Sequence, residues 1–236
     1  VCMAYGLRVS SISSPIGKIE LFDEDAYALH LKITDRCIDF AQALQCQFVR
    51  VFSFYLPDGA NFSECRPEVL RKLKGILERF TGTSVVPLLE NEKGLYGDTP
   101  QRCLELLEAQ ADCFSLGLIF DPANFVQVGS NPMEAYALLR PYIRYVHIKD
   151  ASRSTGINVL CGTGDGNIRE LLKALSRDGY DGYLTLEPHL VEFDGLLNLE
   201  QGDARKVIQS HGAWNPREAF AMQLTALHNL LKETRG

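Results

Sequence analysis

The stretch Leu116-Gly117-Leu118-Ile119-Phe120-Asp121 decides the fold. It is an unbroken apolar run closed at its C-terminal end by a single carboxylate. A run of this length, without polar alternation, suits a strand buried on both faces of a parallel sheet. Comparable apolar or β-branched runs occupy residues 7–12, 48–54, 84–89, 143–148 and 182–186.

Helical segments lie between these runs, and their ends can be read from capping residues. Asp98-Thr99-Pro100, Asn131-Pro132-Met133-Glu134 and Asn215-Pro216-Arg217-Glu218 each place a capping side chain before a Pro at the first helical position. Pro is pre-set for that position because its missing N–H would have had no partner there. Another helix opens near Gly166-Asn167-Ile168 and is closed by Gly179. Strands alternating with helices in this way mean repeated βα units, either a doubly wound sheet or a closed barrel. No G-x-G-x-x-G follows the first strand, which weighs against a dinucleotide-binding sheet.

The expectation is therefore an α/β protein with the (β/α)8 TIM barrel fold, one domain over residues 1–236. A barrel of that kind has eight strands, and only six are legible. Either two strands are weakly written or the first one or two βα units are absent from the chain. The second option fits Val1-Cys2-Met3-Ala4-Tyr5-Gly6, which reads as the tail of a helix running into a strand, and the sequence opens without Met.

Composition narrows the function. With 46% hydrophobic residues, the chain carries more apolar character than a disordered one. Its longest apolar run falls well short of the roughly 18 residues that span a bilayer. A formal charge of −6, from 24 basic and 30 acidic residues, comes without a basic cluster, so no nucleic-acid partner is expected and a small molecule is. The seven cysteines are scattered and form no C-x-x-C, which points to reduced, buried thiols and a cytoplasmic location.

Four runs end alike. Residues 85–89 are followed by Glu90 and residues 118–120 by Asp121; Tyr145-Val146 leads to His147, and residues 183–186 to Glu187. Spacings of 31, 26 and 40 residues put one ligand-type side chain on each of four successive strands. In a barrel the carboxyl ends of the strands converge on one mouth, where polar residues carry chemistry. Three carboxylates there repel one another unless a cation sits among them. An oxygen-rich set with one imidazole favours Mn²⁺, Mg²⁺, Co²⁺ or Zn²⁺, with Mn²⁺ first.

Longer motifs surround these ligands: Leu89-Glu90-Asn91-Glu92-Lys93-Gly94, Phe120-Asp121-Pro122-Ala123-Asn124-Phe125, Tyr145-Val146-His147-Ile148-Lys149-Asp150 and Leu186-Glu187-Pro188-His189. Together they resemble the sugar isomerase/epimerase family of xylose isomerase-like TIM barrels, which includes ketose 3-epimerases and hydroxypyruvate isomerases. The resemblance implies one divalent ion held by Glu90, Asp121, His147 and Glu187. It also implies a small sugar substrate and, as in many relatives, a homo-oligomer. The metal would polarise the carbonyl of an open-chain ketose. One of Glu90 and Glu187 would remove the neighbouring proton and the other would return one, through an enediolate. Return to the same carbon epimerises and return to the adjoining carbon isomerises; the sequence leaves both open.

Other positions follow from the same comparison. Many relatives have His three residues after the metal-binding Asp; Asn124 stands there and is expected to touch substrate by hydrogen bonds. Arg153 matches an Arg that contacts substrate oxygens in epimerases. Lys149, on the same side of its strand as His147, and His189, two residues beyond Glu187, are expected in the pocket. Asp150 is expected to orient a metal ligand from behind.

Gly162-Thr163-Gly164-Asp165-Gly166 precedes a helix but lacks the Lys of a phosphate-binding loop, so it reads as a flexible turn. Arg71, Lys72 and Lys74 alternate with leucines at helical spacing and read as a solvated face. Trp214 is expected to pack the C-terminal tail. Two other readings stand beside the enzyme. A metal hydrolase of the apurinic-endonuclease type would need more His than the five present, and a non-catalytic sugar-binding barrel would not need Glu90 and Glu187 intact.

Overall fold

Successive apolar runs pair side by side in a computed structural model of the chain, which describes residues 2–187, 189–191 and 215–234. The parallel strands β1 (Ser11–Ile12), β2 (Phe48–Val51), β3 (Val86–Glu90), β4 (Gly117–Phe120), β5 (Ile143–Ile148) and β8 (Tyr183–Leu186) form one sheet in that order. The expectation that these segments are parallel strands with helices between them holds. Two further strands, β6 (Asp150–Ala151) and β7 (Asn158–Val159), make a small antiparallel hairpin that the sequence reading does not foresee.

By compactness the chain divides into two units, Val1–Ile119 with Pro141–Arg144, and Phe120–Arg140 with Tyr145–Gly236. In the first, Phe48 pairs with Val86 and Val51 with Leu89, and Leu88 and Glu90 stand opposite Gly117 and Ile119. A Cβ on Gly117 would come within 2.7 Å of Leu88 and 2.8 Å of Arg144, so glycine is what lets these strands approach. Helices α1 (Glu24–Ala43), α2 (Phe62–Glu78) and α3 (Pro100–Gln110) belong to this unit. Asp23 caps α1 through Ala26 N, Asn61 caps α2 through Ser63 N, and Thr99 caps α3 as the sequence predicts. Val49, Val51, Leu88, Leu89, Leu118 and Ile119 are fully buried. Each such side chain contributes about 1.5–3 kcal/mol of hydrophobic stabilisation.

The basic stretch of α2 corrects one expectation. Lys72 is fully buried, its Nζ 2.9 Å from Glu24 and 4.8 Å above the Tyr27 ring. Only Arg71 and Lys74 face solvent. A buried ammonium is tolerated there because carboxylates and a ring face replace its water.

In the second unit, β5 and β8 pair from Tyr145↔Tyr183 to Ile148↔Leu186. Its helices are α4 (Pro122–Gln127), α5 (Pro132–Leu139), α6 (Ile168–Arg177) and α7 (Pro216–Thr234). Asn131 caps α5 through Met133 N and Glu134 N. At α7, Glu218 N donates to the Asn215 side chain while Asn215 N donates to Glu218, a reciprocal capping box. Gly179, at φ +73°, ends the α6 turn as expected. Cysteines 37, 46, 65, 103, 113 and 161 are unpaired, and all but Cys113 are buried. Trp214 lies outside the described residues. No helix among the described residues is long and apolar enough to cross a membrane.

Candidate metal centre

Each ligand-type side chain stands where a strand gives out. Glu90 is the last residue of β3 and Asp121 follows β4 directly. His147 is the penultimate residue of β5, and Glu187 follows β8. One ligand atom from each of Asp121, His147 and Glu187, all in the second unit, lies within 4.8 Å of the others. Glu90, Asp121 and His147 are buried and Glu187 is partly exposed. Donors around an ion with bonds of about 2.0–2.3 Å stand at such separations, and two carboxylates with one imidazole suit a divalent cation of intermediate hardness. The residues present therefore fit a divalent ion.

Local structure fixes the donors. Asp121 is the N-cap of α4: its Oδ1 accepts from Asn124 N at 3.0 Å, so the helix start orients the carboxylate. Its Oδ2 lies 2.8 Å from Lys149 Nζ and 3.9 Å from His147 Nδ1. Glu187 Oε2 lies 3.3 Å from the same ammonium and 3.5 Å from the same imidazole nitrogen. The His147 ring packs edge-on against Tyr145 with centroids 5.8 Å apart. Burial pushes the Glu187 carboxyl up, but His147 and then Lys149 pull it further down, leaving it well below the usual carboxylate range. Glu90 is held separately, its Oε2 accepting from Arg50 at 2.9 Å. Arg50 is itself buried, over the Phe52 ring at 4.8 Å.

The remaining predicted residues divide. Lys149 is buried among the carboxylates, Asn124 is buried in the first turn of α4, and His189 follows Glu187, its N–H donating to the Glu187 carbonyl at 3.0 Å. Arg153 stands elsewhere. It is exposed, and its guanidinium donates to the carbonyls of Gly129 and Ser130 at 2.8 Å each, tying the hairpin loop to the end of α4. Asp150 accepts from the backbone N–H groups of Gly162, Gly164, Gly166 and Ala151 at 2.8–3.0 Å. The glycine segment read as a flexible turn is thus wrapped on an internal carboxylate.

Arg50 is passed over in the sequence reading. Within Phe48-Val49-Arg50-Val51-Phe52, a lone Arg reads as a surface residue of a strand. Its position one residue before the end of β2, in a run otherwise apolar, is the signal that could have found it. Lys18, 3.0 Å from Glu92, is a second charged pair without a sequence motif.

A parallel βα sheet whose strands end in carboxylates and an imidazole matches the α/β barrels, whose active sites stand at the carboxyl ends of the strands. The chain belongs to the xylose isomerase-like TIM barrel family, whose model matches residues 1–211. The TIM barrel expected from the strand pattern is thereby shown. An uncharacterized protein of Methanocaldococcus jannaschii is 30% identical over 168 residues, 66% of this chain and 57% of the relative. A 3-dehydroshikimate dehydratase of Bacillus anthracis is 30% identical over 101 residues, 42% of this chain and 36% of that protein. The chain thus spans 57% and 36% of these two relatives' lengths. Among solved structures, a D-tagatose 3-epimerase-like protein superposes with a TM-score of 0.74 at 22% identity, covering 99% of this chain and 80% of that one.

Proposed function

We propose that the chain is a divalent-metal-dependent isomerase or epimerase of a ketose or related small sugar, working through an enediolate. The observation that carries this reading is the gathering of Asp121, His147 and Glu187 at strand ends of the second unit; Glu90, the last residue of β3, is the fourth ligand of this reading. Mn²⁺ is the preferred ion, with Mg²⁺, Co²⁺ and Zn²⁺ as alternatives. When bound, the ion would polarise a substrate carbonyl and acidify the adjacent C–H. The carboxylates of Glu90 and Glu187 then act as the base that removes the proton and the acid that returns one. Arg50 orients Glu90, and the low-lying Glu187 carboxyl keeps a negative charge ready at neutral pH. Asn124, Lys149 and His189 are the substrate-contacting side chains of this reading, while Arg153 and Asp150 hold the surrounding loops. The proposal takes the protein as a cytoplasmic homo-oligomer.

Deuterium incorporation from D2O into a panel of ketoses tests it, with Mn²⁺, Co²⁺ or Mg²⁺ supplied in turn. Exchange is expected with at least one cation, and Glu187→Gln should slow it by about 10²-fold or more, the usual range for a general base. No exchange with any cation, or a Glu187→Gln variant as fast as the parent, defeats the reading.

The dehydratase relative favours a second outcome of the same chemistry. Removal of the C–H proton followed by loss of a hydroxyl on the next carbon, as water, would dehydrate a cyclic keto acid instead. Incubation with 3-dehydroshikimate and metal, followed by ultraviolet absorbance of the unsaturated product, decides between the two.

A further inference from the structure

We propose that Lys149 is an internal counter-cation that shares Asp121 Oδ2 and Glu187 Oε2 with the divalent ion and so holds down the affinity of the metal centre. The inference rests on the metal-centre reading above and concerns a residue outside the four ligands. Lys149 leaves β5 two residues after His147, and strand alternation returns its side chain to the same side. Its stem is buried, and its ammonium reaches 2.8 Å from Asp121 Oδ2 and 3.3 Å from Glu187 Oε2. The same two oxygens lie 3.9 Å and 3.5 Å from His147 Nδ1.

Two consequences follow. Without a metal, the ammonium offsets the repulsion between buried carboxylates, so the ligand set stays assembled rather than springing apart. With a metal, a charge of +1 stands beside a charge of +2 on shared oxygens, and in a poorly solvated site that repulsion opposes binding. Lysine suits this role better than arginine. Its compact ammonium on a flexible stem can give up one oxygen for another acceptor, whereas a planar guanidinium fork would hold its carboxylates as a pair. The centre is thereby built to exchange its ion rather than to lock it in.

Isothermal titration of Mn²⁺ into metal-stripped protein tests this without any turnover. Lys149→Met keeps the apolar stem and removes the charge. It is expected to bind Mn²⁺ at least tenfold more tightly than the parent, while its metal-free form unfolds at a lower temperature. Lys149→Arg keeps the charge and should bind no more tightly than the parent. Damage to the fold would loosen binding, so tightening is not an outcome of mere disruption. If Lys149→Met proves poorly folded, Lys149→Gln carries the same comparison. Parent and neutral variants of equal affinity, or neutral variants that bind more weakly, overturn the counter-cation role and leave the metal centre standing. A parent and variants that all take up no divalent cation overturn the metal centre, and this role with it.

Discussion

Single side chains outside the metal centre carry charge states that the fold selects. His30, on α1, is buried and its Nδ1 accepts the Gly17 N–H at 3.0 Å, which requires that nitrogen to be unprotonated. Gly17 has no latitude of its own, since at φ +84° a Cβ would fall 2.2 Å from the Phe52 carbonyl oxygen. Burial holds the His30 pKa below the ordinary 6.5. The unfolded chain therefore takes up a proton at a higher pH than the folded one. This contribution to stability is complete above pH 6.5 and is lost as pH falls through the folded value, with a slope of at most about 1.4 kcal/mol per pH unit. His30→Asn, which offers an uncharged acceptor in place of Nδ1, should flatten the fall in urea midpoint between pH 7.5 and 5. An unchanged slope would show that His30 does not titrate on unfolding. Lys72 carries the same lesson about legibility. Helical spacing assigns it correctly to α2, but spacing alone cannot show that Glu24 of a neighbouring helix and the Tyr27 ring make its burial tolerable.

At the scale of elements, the turn from β5 into α6 is held by one carboxylate. Asp150 gathers four backbone N–H groups, three of them from alternate residues of Gly162-Thr163-Gly164-Asp165-Gly166. A Cβ on Gly164 would stand 2.5 Å from Asp150 Oδ1 and 2.6 Å from the Ala151 carbonyl oxygen. The segment also reaches α7, because Cys161 N donates to the Gln223 side chain, whose Nε2 donates in turn to the carbonyl of Ile148, between His147 and Lys149. Asp150→Ala removes the acceptor and leaves buried donors without a partner, a loss of about 2–4 kcal/mol. A urea midpoint that Asp150→Ala leaves unchanged would show that solvent serves those N–H groups equally well. The elements themselves were largely legible. Apolar runs and Asn-Pro or Thr-Pro starts each rest on local chemistry, and so the strands and capped helices fall where expected. The hairpin of β6 and β7 was not legible, since two strands of two residues write no periodicity. The strand-end position of Glu90, Asp121, His147 and Glu187 was legible from the chain, because an apolar run marks where each strand stops. What holds those residues was not: Arg50 and the wrapping of Asp150 depend on partners 40 and 12–16 residues away.

At the scale of the whole molecule, a centre that draws donors from the ends of β4, β5 and β8 would couple metal binding to folding. In the unfolded chain Asp121 and Glu187 are 66 positions apart, so it should bind the ion far more weakly than the folded protein does. An ion that binds only the folded form adds about 2.7 kcal/mol at a free concentration one hundred times its dissociation constant. For a chain of this length that corresponds to a rise in Tm of roughly 5–10 °C. Thermal unfolding of metal-stripped protein should therefore climb with added Mn²⁺ and fall back when a chelator is supplied. The climb should shrink as pH is lowered, because an imidazole or carboxylate must give up its proton to ligate. His147→Ala removes the nitrogen donor without touching the helices, so its metal-free Tm should stay within a few degrees of the parent's while most of the metal-dependent rise disappears. A parent whose Tm is indifferent to Mn²⁺, or a His147→Ala variant with the full rise, would place the ion elsewhere than at these strand ends.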